Sequence, residues 1–330
     1  MSLLLETGAP IVTVFGGSGF IGRYVVSRMA KLGWRVKVAV RNPNHAIFLK
    51  TYGEVGQIEI LQSNVLSQSS VLSATEGSMA VINCVAGKLM ETNSAVSRRI
   101  YVDAANFISK AASLSRVKKL VHISALGASI GSESFYSRHK AKGEQKVLEN
   151  FPSATILRPS VVFGFEDQFF NRFASMAVIS PVIPLIGSKS KFQPIFVDDI
   201  ALAVEKAVGS EKLTGIFELG GPEILSFRQL MEQLLIVIRR RRVVLSVPFA
   251  FGNVMAFCFL SLKKATLGLF SPPITADNII NLKSDNVVSK DVKTVKDLNI
   301  NPKAIMSIIP QYLYSYRPNG QYSEITDSQS

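Results

Sequence analysis

Ile11-Val12-Thr13-Val14-Phe15-Gly16-Gly17-Ser18-Gly19-Phe20-Ile21-Gly22 is the stretch on which the architecture turns. Ile11–Phe15 reads as a short buried strand, and residues Ile21–Leu32 read as an amphipathic helix. Between them Gly16, Gly19 and Gly22 fall at the spacing G-x-x-G-x-x-G. The first glycine permits a tight turn, the second lets backbone approach a pyrophosphate, and the third lets the helix pack closely on the strand. The helix amino terminus offers free N–H groups and a positive dipole end to phosphate. Ser18, Phe20 and Ile21 therefore join the three glycines as expected contacts of a bound nucleotide.

Outward from this turn, short apolar runs alternate with amphipathic stretches. Val36–Val40, Ile58–Gln62, Ala80–Val85, Leu120–Ile123 and Ala154–Leu157 read as further strands. Helices are expected around Ser97–Ser115 and Tyr136–Leu148. Six strands separated by helices predict an α/β fold, a Rossmann-type doubly wound parallel sheet with a smaller C-terminal substrate-side lobe. The sheet domain is expected over residues 1–165. A mixed α/β lobe follows over 166–318, part of which returns to the sheet, and 319–330 form a disordered tail. The ligand cleft is expected between the two, at the carboxyl ends of the strands. Residues 165–193 carry Phe, Pro and Gly with no sustained period. Pro194–Val197 reads as a short strand, Asp198–Val208 as a helix and Ile216–Leu219 as strand-like. Ser226 and Gln229 form a capping box for a helix to about Ile238.

The residue closing the second strand selects the nucleotide. An acid there would bind a ribose 2′-hydroxyl, whereas this chain reads Ala39-Val40-Arg41-Asn42-Pro43. Arg41 either pairs with a 2′-phosphate through its planar fork or is a solvated loop arginine. The first reading favours NADP(H), with NAD(H) as the alternative. By position, Asn64 and Val65 fall where an adenine-contacting loop belongs, and Cys84, Val85 and Ala86 fall where the fourth strand meets the cofactor. Tyr136-Ser137-Arg138-His139-Lys140 sets a tyrosine and a lysine four residues apart, on one helix face. In a nicotinamide enzyme the ammonium would lower the phenol pKa and hold the nicotinamide ribose, while Tyr136 exchanges a proton with a carbonyl or alcohol. Ser124, at the end of the fifth strand, is the nearest hydroxyl donor to the same oxygen.

Composition narrows the remaining classes. Hydrophobic content of 47% and charged content of 18% describe a packed globular chain of 330 residues. A formal net charge of +13 favours polyanions, yet no nucleic-acid motif or base-stacking pattern accompanies it, so lipid head groups or a protein partner are preferred. Cys84 and Cys258 cannot form a disulfide framework and read as core residues, and His45, His122 and His139 lack metal-ligand spacing. No targeting segment is read at the amino terminus, as expected of a protein made where it works or already processed.

The chain resembles the extended or atypical short-chain dehydrogenase/reductases. Within them it is similar to the family of complex I alpha-subcomplex subunit nine (NADH:ubiquinone oxidoreductase) and its bacterial relatives. The resemblance rests on Gly16–Gly22, on Tyr136–Glu144, on Leu157-Arg158-Pro159-Ser160-Val161-Val162-Phe163-Gly164, and on Glu166–Ala174. Pro194–Ala201 and the tail stretch Leu282-Lys283-Ser284-Asp285-Asn286-Val287-Val288 extend it. It implies bound NADPH, contact of Pro159 with the cofactor, and complex I subunits as partners. It also implies a peripheral place on the bacterial inner membrane, cytoplasmic side, or on the matrix side in a processed mitochondrial chain. Turnover is left open. Asn64 departs from the usual aspartate, and Ser124-Ala125-Leu126 lacks the hydroxyl run of active epimerases, so the resemblance implies binding more than catalysis. The alternative is an active reductase or epimerase on a sugar-nucleotide, sterol-like or quinone-related substrate.

Arg239-Arg240-Arg241-Arg242 precedes Val243–Leu262, an apolar stretch closed by Lys263-Lys264. It reads as a buried helix of the second lobe, or as an element lying on an anionic membrane surface or against a partner. The interfacial reading is favoured over a true span because Pro248, Gly252 and Asn253 interrupt the stretch.

Overall fold

The computed structural model describes residues 8–87, 93–266 and 274–320. From the amino terminus, β1 (Ile11–Phe15) runs through the glycine turn into α1 (Phe20–Lys31) and β2 (Arg35–Val40). A 3-10 segment (Pro43–Tyr52) precedes β3 (Ile58–Gln62), α2 (Gln68–Thr75) and β4 (Ala80–Asn83). α3 (Ser94–Arg98), a π-helical turn (Arg99–Asp103) and α4 (Ala104–Leu114) lead to β5 (Lys119–Ile123), α5 (Phe135–Asn150) and β6 (Thr155–Pro159). Beyond these lie β7 (Val162–Phe163), α6 (Phe170–Ile179), β8 (Val182–Ile186), β9 (Lys191–Phe192) and β10 (Ile195–Phe196). α7 (Val197–Val208), β11 (Gly215–Leu219), β12 (Leu225–Ser226), α8 (Phe227–Val237), β13 (Val243–Val247) and α9 (Phe249–Ala265) follow. α10 (Ala276–Asn281), β14 (Lys293–Thr294), α11 (Ile305–Ile308) and α12 (Pro310–Leu313) complete the chain.

Eight parallel strands form one sheet in the order β14-β11-β6-β5-β4-β1-β2-β3. Its strands are almost continuously apolar because helices cover both faces. Val12, Val14, Phe15, Val38, Ile82, Val121, Ile156, Leu157 and Phe217 are all buried. Each such aliphatic or aromatic side chain contributes about 1.5–3 kcal/mol on leaving water. Chain order reverses between β1 and β4, the switch point at which open α/β sheets bind ligands. Two compact units partition the chain. The first holds the residues up to Pro159 with Val197–Leu219 and Ser289–Ile300, and so contains the whole sheet; the second holds Ser160–Phe196, Gly220–Val288 and the residues from Asn301. In the first unit Arg28 grips both carboxylate oxygens of Asp198 at 2.8 Å and Glu205 at 2.9 Å, fixing α1 to α7.

The second unit is sewn by polar clasps. Asp167 accepts from Gly164 N–H (3.1 Å), Phe169 N–H (2.9 Å), Asn171 N–H (3.1 Å) and the Tyr312 hydroxyl (2.6 Å). The tail stretch singled out in the sequence is another clasp. Ser190 donates to the Leu282 carbonyl, Lys191 N–H donates to Asp285, and Ser160 donates to Asn286 Oδ1 at 2.6 Å.

The structure corrects several expectations. The sheet has eight strands rather than six, because β11 belongs to it and β14 is a two-residue strand with no apolar run. The helix expected over Ser97–Ser115 is broken by the π turn. Residues 165–193, read as aperiodic, contain α6 and β8. Phe170, Ala174 and Ala177 give α6 a buried face at helical spacing, obscured in sequence by Phe169 and Phe173, whose rings cluster with Phe227. Val243–Leu262 is not one apolar segment, since Pro248 divides a strand from a helix. α9 is not a buried helix either. It packs through Gly252 and Ala256 on the Ile186 side, while Phe251, Val254, Phe257 and Leu260 are exposed. Cys258, expected in the core, is exposed. Most of the tail expected from 319 lies outside the described residues.

Candidate functional site

β1 ends in Phe15, and the chain turns at Gly16 with φ +75°. A Cβ there would meet the Cys84 carbonyl oxygen at 2.8 Å, and one at Gly22 would meet the Gly16 oxygen at 2.3 Å. Both positions are closed to any side chain. Gly19 is less confined, with the Gly16 oxygen 3.2 Å from its would-be Cβ. Gly17, passed over in the sequence motif, is confined too, since a Cβ there would meet the Val38 side chain of β2 at 2.7 Å. Gly19 caps α1 in extended conformation with no side-chain acceptor, so the first-turn N–H groups at Phe20, Ile21 and Gly22 are left uncapped, the arrangement that helix amino termini use to hold an anion. Ser18 is half-buried beside them.

Arg41 stands exposed just past the end of β2. Arg23 of α1 lies nearby in sequence terms to the glycine turn, its guanidinium 5.0 Å over the Phe48 ring. At the end of β3, Asn64 is exposed and its Oδ1 accepts from Leu66 N–H at 3.0 Å, so its side chain shapes its own turn. Val65 packs on the core at that turn.

Past β4, Asn83 organises the next wall. Its Nδ2 donates to His122 Nδ1 at 3.0 Å, and its Oδ1 accepts from Val85 N–H at 3.0 Å. Cys84 N–H donates to Phe15 O at 2.9 Å, and Ala86 is exposed beyond it. Burial, with the Lys140 ammonium adding to it, pushes His122 down to about 3. The imidazole is therefore neutral, and with Nδ1 accepting, its proton sits on Nε2. Desolvation pushes the Cys84 thiol up to about 12, which makes it an inert thiol at neutral pH.

α5 begins at Ser134, whose hydroxyl accepts from Ser137 N–H, and carries its functional residues along one face. Lys140 is 4% exposed and donates to the Ile123 carbonyl at 3.2 Å and the Ser124 carbonyl at 3.4 Å. Its ammonium lies 4.6 Å from the centre of the Tyr101 ring, which meets the Tyr136 ring edge-on at 5.4 Å. Burial pushes Lys140 down to about 8, against the opposing pull of Glu144 and Cys84. The Ser124 hydroxyl is buried without a hydrogen-bond partner among the described residues, an orphan at the carboxyl end of β5. Pro159 ends β6, its carbonyl accepting from Leu126 N–H at 2.8 Å.

Tyr136, Lys140 and Ser124 are thus gathered beside the loop after β4, with the glycine turn closed against Cys84. The sequence did not single out Tyr101, nor the brace behind α5. Arg158 of β6 holds both oxygens of Glu144, at 2.9 and 2.6 Å, and reaches Glu218 of β11 at 3.4 Å. Glu144 is 3% exposed, so the pair fixes α5 on the sheet. Glu144 follows Lys140 by one helical turn, but no spacing in the sequence joins it to Arg158 or Glu218. Among the described residues no group of three His, Cys, Asp or Glu could hold a metal ion.

Comparison with known proteins gives the family and the fold. An NAD(P)H-binding family matches residues 16–162. The 40 kDa subunit of mitochondrial NADH-ubiquinone oxidoreductase from Neurospora crassa is 31% identical over 316 residues, covering 96% of this chain and 82% of that protein. NADH dehydrogenase [ubiquinone] 1 alpha subcomplex subunit 9 from Arabidopsis thaliana is 31% identical, covering 94% and 79%. In fold, the Bordetella bronchiseptica enzyme WbmG in complex with NAD superposes with a TM-score of 0.70 at 13% identity, covering 98% and 96%. The glycine turn, the parallel sheet and similarity running the length of the chain lead to one conclusion: this is an NAD(P)-binding protein with a Rossmann-like fold, and it belongs to the family of the 40 kDa, alpha-subcomplex subunit 9 component of NADH-ubiquinone oxidoreductase.

Proposed function

We propose that this protein holds NADP(H) as a structural or regulatory nucleotide-binding subunit associated with respiratory complex I at the membrane surface. The observation that carries the reading is the extent of the similarity. It covers 96% of this chain and 82% of the fungal complex I subunit, not the nucleotide-binding half alone. The residues fit the cofactor: a Cβ at Gly16 or Gly22 would collide with backbone, so the turn presents bare backbone beside the helix N–H groups, and the Ser124 hydroxyl has no partner among the described residues. Preference for NADP(H) over NAD(H) rests on Arg41, exposed where a carboxylate would select NAD.

Contact with an anionic membrane is supported by α9. No helix among the described residues is long and apolar enough to cross a membrane. α9 nevertheless leaves Phe251 63% and Phe257 71% exposed, downstream of Arg239–Arg242. Such an apolar face with basic neighbours suits the head-group boundary of anionic lipid. On this reading the protein sits on the matrix side in mitochondria, or on the cytoplasmic side of a bacterial inner membrane.

The orphan Ser124 hydroxyl favours a second reading, an active reductase or epimerase. A bound nicotinamide supplies a hydride donor or acceptor; Tyr136 would then move a proton at the substrate oxygen, with Lys140 holding charge beside it. Nucleotide exchange separates the two. A holder retains labelled NADPH through gel filtration in excess unlabelled nucleotide, and Tyr136→Phe leaves retention unchanged. Rapid exchange, with a substrate-dependent oxidation abolished by Tyr136→Phe, would establish the enzyme instead.

A further inference from the structure

We propose that Tyr101 is a positioning residue of the nucleotide site, a ring wall that fixes where the Lys140 ammonium lies and ties the loop after β4 to α5. The inference rests on the reading that this site binds NADP(H). Tyr101 sits in the middle of the π turn, 7% exposed. One extra residue in a helical turn rotates everything after it by about 100°, so the turn itself aims the ring. Three contacts converge on that ring and its hydroxyl. The Lys140 ammonium is 4.6 Å from its centre, the Tyr136 ring stands perpendicular at 5.4 Å, and Gly87 N–H donates to the hydroxyl at 3.1 Å.

The backbone is committed to the same arrangement. A Cβ at Gly143 would lie 2.1 Å from the Tyr101 carbonyl oxygen, so α5 presses on the π turn where only glycine fits. This gives Gly143, three residues past Lys140, a physical role. The groups facing Lys140 are few. Glu144 lies on its own helix, Cys84 follows β4, neutral His122 lies on β5, and Tyr101 and Tyr136 complete the ring. Glu144 is the full negative charge among them, and Arg158 already grips both its oxygens. The negative face of the Tyr101 ring is then the neighbour best placed to stabilise the ammonium without a proton or a counter-charge of its own.

The test follows the Lys140 side chain by carbon NMR through a pH titration of the nucleotide-free protein, alongside NADPH affinity. Tyr101→Leu is expected to move the Lys140 midpoint to lower pH by about half a unit or more. Tyr101→Phe keeps the midpoint but weakens NADPH binding several-fold through the lost Gly87 bond. If Tyr101→Leu fails to fold, phenylalanines of increasing ring fluorination at position 101 keep the shape and should step the midpoint downward. An unmoved midpoint in these variants, or an affinity loss uniform across pH with Lys140 unchanged, overturns the proposal. Absence of NADPH binding in the unmodified protein would sink the nucleotide reading instead, and the midpoint comparison would still decide the role of Tyr101.

Discussion

Replacing Lys140 by methionine should make the nucleotide-free protein more stable. Lys140 is 4% exposed, and burial pushes its amine from 10.5 down to about 8. That fall corresponds to about 3 kcal/mol of folding free energy spent on keeping the ammonium charged at neutral pH. Methionine matches the length of the stem but leaves the Ile123 and Ser124 carbonyls without this donor, which returns about 1 kcal/mol. The expected net gain for Lys140→Met at pH 7 is about 1–3 kcal/mol. Linkage gives a sharper signature. Between pH 8 and 10.5 the unfolded chain binds the proton and the folded one does not, so wild-type stability should rise with pH through that window. The variant should lack this rise. Urea unfolding at pH 7 and pH 10 for both proteins reads the effect, and nucleotide affinity of the same variant should fall. A destabilised Lys140→Met with an unchanged pH slope would refute the argument, since it would make Lys140 a structural cation with no functional burden.

Other outcomes follow from single contacts. Gly22→Ala should abolish nucleotide binding in a chain that still folds, because its methyl would sit 2.3 Å from the Gly16 carbonyl; calorimetric titration with NADPH reads this. Arg41→Glu should invert the preference for NADPH over NADH, and equal affinities in wild type would remove the basis for NADP(H). Asp167→Asn replaces one of two oxygens that each accept from two donors with an amide donor, which would face, for example, the Gly164 N–H and the Tyr312 hydroxyl. It should cost about 2–3 kcal/mol in urea unfolding, while NADPH binding stays within about two-fold, a difference of only ~0.4 kcal/mol. Phe251→Ser with Phe257→Ser should reduce sedimentation with anionic vesicles, leaving nucleotide affinity intact, if α9 lies on lipid.

The sheet and its first turn were legible because both are local. Period-two and period-3.6 apolar patterns report burial directly, and a glycine triplet reports a steric demand that Gly16 and Gly22 bear out at 2.8 and 2.3 Å. What escaped was non-local or masked. β14 is two residues long and exists only because β11 offers it an edge. α6 was hidden by aromatic residues that serve two clusters at once. The π turn leaves no periodic trace in Ser97–Ser115, so Tyr101 could not be aimed from sequence. Asn64 was read as an adenine contact, yet its side chain is occupied with the backbone of its own turn. Arg158, Glu144 and Glu218 come from three distant segments, and no spacing rule joins them.

The most direct measurement is gentle solubilisation of native membranes, capture of this protein, and identification by mass spectrometry of the nucleotide and proteins that come with it. The account predicts stoichiometric NADPH that survives the purification, together with subunits of NADH-ubiquinone oxidoreductase. A protein arriving alone, with no nucleotide or with a freely exchanging one, would contradict it.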